Sequence, residues 1–228
     1  QIVVYDPTVT SWTSIAAASP YYGIAAASPT NFYAGPALDH YTGTGFEPIT
    51  WDAGLATPHS AAEPLLLDGT LYAAGGADGL LKLTGTTLAK DPTWPSGKSA
   101  LHLAGNGTTL YVAATLTATG ELHILSKATG GVIDITLNLP ATLTALDLAA
   151  AGSLVYLLAS NGAGQQLWAY DGTLWAQVKA FPQSGIAAIY ASSPYDLIAV
   201  GAGGLILHQQ AEEVAADRKS TRLNSSHT

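Results

Sequence analysis

The sequence predicts an all-β fold, a β-propeller of four-stranded antiparallel blades with about five blades present. Three observations predict it: a strand pattern that recurs roughly every 40 residues, Gly turns between paired large side chains, and short runs rich in Leu, Ala and Tyr. The recurring pattern is an aliphatic residue, two variable residues and a closing residue before a turn. Its six copies are residues 2–5, 38–41, 80–83, 122–125, 167–170 and 205–208.

Each copy of the pattern begins a hairpin that brings large side chains together. Tyr170 and Trp175 stand on either side of a turn that contains Gly172, and Gly accepts the positive φ that such a turn needs. Tyr41 and Phe46 repeat the same spacing around another Gly turn. A helix gives no reason for this spacing, whereas a hairpin places the two residues opposite each other.

A second strand pair precedes each hairpin, so the repeating unit has four strands, named A to D from the inside outwards. Strand A is rich in Ala, as expected where blades converge on a narrow axis. Four whole units are predicted within a single domain of residues 1–210, at about 22–51, 58–94, 99–138 and 143–181. A partial C–D hairpin (1–15) precedes them, a partial A–B–C unit (185–210) follows them, and residues 211–216 are expected to be a linker.

One segment resembles a known family of repeats. Residues 193–208, with the sequence SPYDLIAVGAGGLILH, are similar to the Ser-Pro-x-Asp, Ala-Val-Gly and Leu-His repeats of bacterial β-propeller proteins. Residues 171–175 also resemble a degenerate Asp-box, the hairpin motif of sialidase-like propellers, without its leading Ser. The resemblance covers most of residues 1–210 and implies the fold and a bacterial source. It implies no single function, because propellers carry many unrelated ones.

Both ends of the chain are expected to be incomplete. The sequence has no Met, and residues 217–228 resemble the in-frame translation of a sequencing-library adapter, so this tail is expected to be foreign to the fold. The chain is therefore expected to be a truncated part of a propeller with six or seven blades. Alternatively, residues 1–15 pair with residues 185–210 and close a five-bladed ring, which would cover the sheet edges; the sequence leaves both arrangements open.

Composition excludes several functions. The formal net charge is −8, and both Arg residues lie in the tail, so the fold offers no basic stripe for nucleic acid or an anionic bilayer. No segment approaches the ~20 apolar residues of a membrane-spanning helix, so membrane insertion is not expected. The absence of Cys excludes disulfides and thiolate metal sites. Scarce charge with abundant Thr, Ser, Gly and Ala favours an extracellular, cell-surface or periplasmic location.

The candidate binding residues lie in or near the links between blades, which open on one face of a propeller. Trp residues there could stack on a sugar, although packing between outer strands explains most Trp residues of such hairpins. A His close to carboxylates could also form a metal site or a general base, but loops collect polar residues without either role. The predicted binding group is Trp51, Asp52, His59, Glu63, Asp78, Trp94 and Lys98.

No metal site, cofactor or catalytic residue is predicted. His102 and His123 alternate with apolar residues, which indicates edge or solvent-facing positions on strands. The sequence favours a monomeric, non-catalytic module whose loops contact a protein or a glycan. The alternative is a glycan-active enzyme, a glycosidase or lyase, whose catalytic residues lie largely outside this chain. Two carboxylates within about ten ångström of each other at the mouth of the central channel would favour the enzyme. A channel mouth lined by Ala, Thr and Gly would favour the binding module.

Overall fold

The computed structural model describes residues 2–6, 11–15, 23–34, 38–56, 62–181 and 185–210. These residues form a β-propeller of five blades, which confirms the predicted fold class. His59, the linker 211–216 and the tail 217–228 lie outside the described residues. No helix in the described ranges is long and apolar enough to cross a membrane.

The chain runs through the blades in order, and each blade is an antiparallel meander from its innermost strand outwards. A hairpin of β1 (Ile2–Asp6) and β2 (Ser11–Ile15) comes first. Blade I contains β3 (Ile24–Ser28), β4 (Asn31–Ala34), β5 (Asp39–Tyr41) and β6 (Phe46–Glu47). Blade II contains β8 (Ala62–Leu67), β9 (Thr70–Ala74), β10 (Leu80–Thr84) and β11 (Thr87–Lys90), with β7 (Thr50–Trp51) added in parallel beside β11.

The second half of the chain repeats this plan with longer strands. Blade III contains β12 (Lys98–Asn106), β13 (Thr109–Leu116), β14 (Leu122–Ala128) and β15 (Gly131–Asp134). Blade IV contains β16 (Thr144–Ala151), β17 (Leu154–Ser160), β18 (Gln165–Tyr170) and β19 (Trp175–Phe181). Blade V contains β20 (Ile186–Ser193), β21 (Asp196–Gly201) and β22 (Leu205–Gln210), with a short 3₁₀ turn, Ala202–Gly204, before β22.

The outer hairpins have the predicted register. Tyr170 lies directly opposite Trp175, with ring centroids 5.3 Å apart, and Tyr41 lies opposite Phe46, with centroids 5.2 Å apart. The Gly turns between them have positive φ, for example 99° at Gly172. The two spacings read from the sequence therefore correspond to real cross-strand pairs.

Each boundary between consecutive blades contains its own hydrophobic cluster. Between blades III and IV, for instance, Ile124 packs with Leu157, and both are fully buried. Separate clusters occupy the other three boundaries, and a smaller one joins Ile2 of the first hairpin to Phe32 of blade I. Full burial of a Leu or Ile side chain stabilises the fold by about 2 kcal/mol, so each boundary contributes substantially. The innermost strands β3, β8, β12, β16 and β20 contact one another in that order around the axis.

The first hairpin does not complete blade V among the described strands. There, β1 pairs with β2, and β22 pairs with β21; no hydrogen-bonded ladder joins the two sheets. The ring-closing pairing that the sequence left open is therefore not formed by these strands. Instead, Ile2 packs against Phe32 of blade I.

Candidate functional site

Four of the predicted binding residues, Asp52, Asp78, Trp94 and Lys98, lie at the end of the propeller where the B–C turns and the links between blades meet. We call this end the link face; among the described residues it comprises 52–56, 75–79, 91–97, 116–121, 135–143 and 161–164. Three successive links fold in the same way there. Asp52, Asp91 and Asp134 each accept a hydrogen bond from the backbone N–H two residues later, at 2.8, 2.8 and 3.1 Å. Such Asx turns hold the backbone of the link in one conformation.

Asp78 and Trp94 make contacts within the protein. Both carboxylate oxygens of Asp78 accept the N–H of Ala56 at 3.1 Å, so Asp78 ties a turn of blade II to the preceding link. Trp94 is only 5% exposed, and its Nε1–H donates to the Lys98 carbonyl at 2.8 Å. Its ring also lies over Gly79, where a Cβ would come within 2.3 Å of Trp94 Cδ1. Asp78 and Trp94 therefore shape the link face from within.

The remaining predicted link residues differ in exposure. Trp51 is half-buried beside the cluster between blades I and II. Asp52 is exposed to solvent, and its side chain accepts the Gly54 N–H. The Lys98 ammonium lies 3.7 Å from an oxygen of Asp134. The structure thus brings Asp52, Asp78, Trp94 and Lys98 to one end of the molecule, and their contact with a ligand stays a prediction.

Glu63 belongs to a different group, near the axis. Its Oε1 lies 2.6 Å from His102 Nδ1, and Asp147 completes a set of three donor side chains whose ligand atoms all lie within 4.8 Å of one another. The three residues come from the innermost strands β8, β12 and β16, one from each of three consecutive blades. They are half-buried: the His102 and Glu63 side chains retain 19% and 34% of their exposure.

The three residues occupy equivalent positions of the repeat. Glu63, His102 and Asp147 each stand four residues before the end of the inner strand pairing, which is marked by Leu67, Asn106 and Ala151. Each position lies at a register shift between strands A and B. A bulge of this kind turns a side chain away from the regular alternation of the strand, so that it lies near the axis.

Both carboxylates also bond the blades together. Glu63 Oε2 accepts the N–H of Leu103 in blade III at 3.0 Å. Asp147 Oδ2 accepts the N–H of Ile189 in blade V at 2.7 Å, and its Oδ1 accepts the N–H of Leu148 at 2.8 Å. Each carboxylate therefore reaches across a blade boundary to the next innermost strand, which fixes its orientation.

The electrostatics of the group favour bound protons. The pKa of Asp147 is raised from 3.8 to about 6, mainly by burial and also by the Glu63 charge, while the amides of Ile189 and Leu148 and the His102 charge oppose the change. Burial alone would lower the pKa of His102. The hydrogen bond and negative charge of Glu63 outweigh it and, with the Asp147 charge, raise that pKa above its ordinary value.

Two members of this group were not predicted. An edge or solvent-facing position was predicted for His102: β12 is an edge strand of blade III, but the His102 ring is mostly covered and bonded to Glu63, so it does not face solvent. Asp147 was not singled out at all. A signal does exist in the sequence: Ala-Leu-His-Leu at 100–103 and Ala-Leu-Asp-Leu at 145–148 place one polar residue at the same point of two consecutive repeats.

Comparisons with known proteins show the fold but no family. No protein-family model matches the chain, and no curated protein matches it. The extracellular domain of the hybrid two component system BT4673 from B. thetaiotaomicron is similar with a TM-score of 0.63 and 12% identity. That match covers 92% of this chain, which spans only 30% of the length of the BT4673 chain.

Two further structures show how varied such neighbours are. YCF48 bound to D1 peptide has a TM-score of 0.58 and 14% identity, and the match covers 89% of this chain and 70% of YCF48. A prolyl endopeptidase has a TM-score of 0.54 and 10% identity, covering 92% of this chain and 38% of the peptidase. Because a peptide-bound propeller and a peptidase both match, the fold does not decide between binding and catalysis.

Proposed function

We propose that this chain is a non-catalytic propeller module that binds a segment of another protein outside the cell, through the link face. The observation that carries the proposal is the repeated Asx turn of Asp52, Asp91 and Asp134, which preorganises three successive links. Loops that are already ordered lose little conformational entropy when a partner binds, so they suit a recognition surface. The similar structures of YCF48 with a peptide and of an extracellular domain support this proposal.

A charge-reversal experiment tests the use of the link face. Peptides are first selected from a displayed random library on the purified chain, and their affinity is then measured by calorimetry. Asp52 and Glu121 are exposed on the link face, so Glu121→Lys is expected to weaken binding about tenfold. Asp52→Lys also removes the bond to the Gly54 N–H and is expected to weaken binding at least as much. Glu47→Lys, on the exposed outermost strand of blade I, makes the same charge change and is expected to leave the affinity unchanged.

Two results would overturn this proposal. One is the failure of the selection to give any peptide that binds above background. The other is binding by the two link-face variants that equals that of the wild type and the Glu47→Lys control. A glycan could replace the protein segment as ligand, and a glycan array with the same three variants distinguishes the two ligand classes.

A second candidate, a glycan-active enzyme, has one specific observation in its favour. Oxygens of Glu63 and Asp147 lie within 4.8 Å, and the pKa of Asp147, raised by burial to about 6, suits a general acid. However, Asp147 accepts backbone N–H groups on both oxygens, and Glu63 is bonded through both of its oxygens. Turnover of chromogenic glycosides that is lost in Glu63→Gln would establish the enzyme; no turnover by the wild type is expected.

A further inference from the structure

We infer that Glu63, His102 and Asp147 form a binding site for a divalent transition-metal ion, with Zn²⁺ as the best fit, near the axis of the propeller. This inference is independent of the proposed function, because the three residues lie on the innermost strands and not in the links. It rests on the donor types, their distances and the way in which the protein orients them.

The donor set suits Zn²⁺ better than Ca²⁺ or Mg²⁺. One imidazole nitrogen and two carboxylate oxygens converge here, and an imidazole ligand favours Zn²⁺ over the oxygen-seeking cations. Around a tetrahedral ion with bonds of about 2.1 Å, donor atoms lie roughly 3.4 Å apart. The Glu63–His102 contact of 2.6 Å and the largest separation of 4.8 Å bracket that value, so small side-chain rotations are sufficient.

Backbone amides hold the two carboxylates in orientations that are suitable for metal binding. The Leu103 N–H bonds Glu63 Oε2, which leaves Oε1 on the side of His102. The Ile189 N–H bonds Asp147 Oδ2, and the Leu148 N–H bonds its Oδ1. A carboxylate has about four lone-pair sites, so each can bind an ion and keep its bond to the next blade. Hydrogen bonds of this kind fix the orientation of the side chains that bind the ion in metalloproteins.

Charge balance provides another reason. Glu63 and Asp147 lie close together in a half-buried place, and the Lys ion pairs within the described ranges involve Asp134 and Asp91 instead. Without a metal, protons on His102 and Asp147 offset this negative charge. A divalent ion would take the place of those protons and neutralise both carboxylates. The residual exposure of the side chains leaves room for a water molecule or an external ligand as the fourth donor.

Blade III offers a matched pair that lacks the third donor. His123 Nδ1 lies 2.6 Å from Asp134 Oδ2, the same distance as in the Glu63–His102 pair. There, the neighbouring charged group is the Lys98 ammonium, 3.7 Å from Asp134, which would repel a cation. His123→Gln is therefore the control variant: it removes a His that is bonded to a carboxylate, but at a place where no metal ion is expected.

The test is a Zn²⁺ titration of chelator-treated protein by calorimetry, with the absorption spectrum of bound Co²⁺ as a second measurement. The wild type is expected to bind about one Zn²⁺ at this site. His102→Gln and Asp147→Asn are each expected to weaken binding by at least about a hundredfold, because loss of a ligand costs more than the 10–100-fold loss caused by removing a ligand's hydrogen-bond partner. His123→Gln is expected to change the affinity less than about twofold. Unchanged Zn²⁺ affinity in both site variants, or no saturable binding by the wild type, would overturn the inference.

A measurement on the wild type keeps the test valid if a site variant fails to fold. Long-range ¹H–¹⁵N spectra report the imidazole nitrogens of each His individually. At saturating Zn²⁺, the His102 ring signals are expected to shift while those of His123 stay in place. Unshifted His102 signals, or equal shifts of both rings, would contradict a site built on His102.

Discussion

Asp147 is expected to make the folded chain more stable in mild acid than at neutral pH. Burial is the main cause that raises its pKa from 3.8 to about 6 in the fold. A group whose pKa is raised by folding contributes stability that is complete below its unfolded pKa and is lost as the pH rises through the folded one. The pKa of His102 is also raised, mainly by the hydrogen bond to Glu63, so it acts in the same direction.

The size of the effect follows from the shift of Asp147. A change from 3.8 to about 6 corresponds to about 3 kcal/mol over the whole titration, at about 1.4 kcal/mol per pKa unit. Between pH about 7.5 and about 5, the linkage relation gives a gain of about 1.4 kcal/mol in the free energy of unfolding. For a domain of this size, the melting temperature should rise by roughly 3–6 °C.

The assay is urea unfolding followed by circular dichroism at the two pH values, with EDTA present so that bound metal does not contribute. Asp147→Asn cannot titrate and is expected to remove most of the difference. Asp171→Asn is the control, because its hydrogen bonds with Thr173 lower the pKa of Asp171 to about 2, outside the range tested. Equal wild-type stability at both pH values, or an undiminished difference in Asp147→Asn, would refute the reasoning.

Two further predictions concern packing, and both are measured by urea unfolding. Gly79→Ala places a Cβ within 2.3 Å of Trp94, at a φ of +83°. It should lower the free energy of unfolding by about 1–3 kcal/mol more than Gly69→Ala, which has a φ of +70° and open space around it. Equal losses of stability in the two variants would mean that the Trp94 ring moves aside. Leu157→Ala should lower the free energy of unfolding by about 2–5 kcal/mol, because Leu157 is fully buried between blades. Leu174 is 45% exposed, so Leu174→Ala should change the free energy of unfolding by no more than about 0.5 kcal/mol. Similar values for the two Leu variants would contradict the assignment of the cluster.

The fold was predictable because its defining contacts are local. Tyr170 and Trp175 meet across a Gly turn, so their spacing in the sequence is already a contact in the structure. The attachment of β7 to blade II was not predictable in the same way. The sequence places Trp51 at the end of the first repeat, but its strand pairs in parallel with β11, and periodicity carries no information about that neighbour.

The contact between His102 and Glu63 was not predictable for a related reason. His102 and Glu63 are 39 residues apart, and they meet only because two blades pack side by side. The alternation of β12 predicts an outward side chain at His102, but the register shift between Ala100 and His102 changes that direction. For Trp94, the position in a link was predicted from the sequence. The contact of its ring with Gly79 was not, because that contact depends on tertiary packing.

The hydrophobic cluster at each boundary also bears on how such chains change in evolution. The buried side chains between blades III and IV come from those two sheets and the link that joins them, so the fit at one junction depends little on the fit at the others. Duplication of one repeat would therefore create a single new junction between near-identical surfaces and leave the older ones intact. Unequal recombination between repeats can thus lengthen or shorten the molecule in whole sheets, without a redesign of its interior.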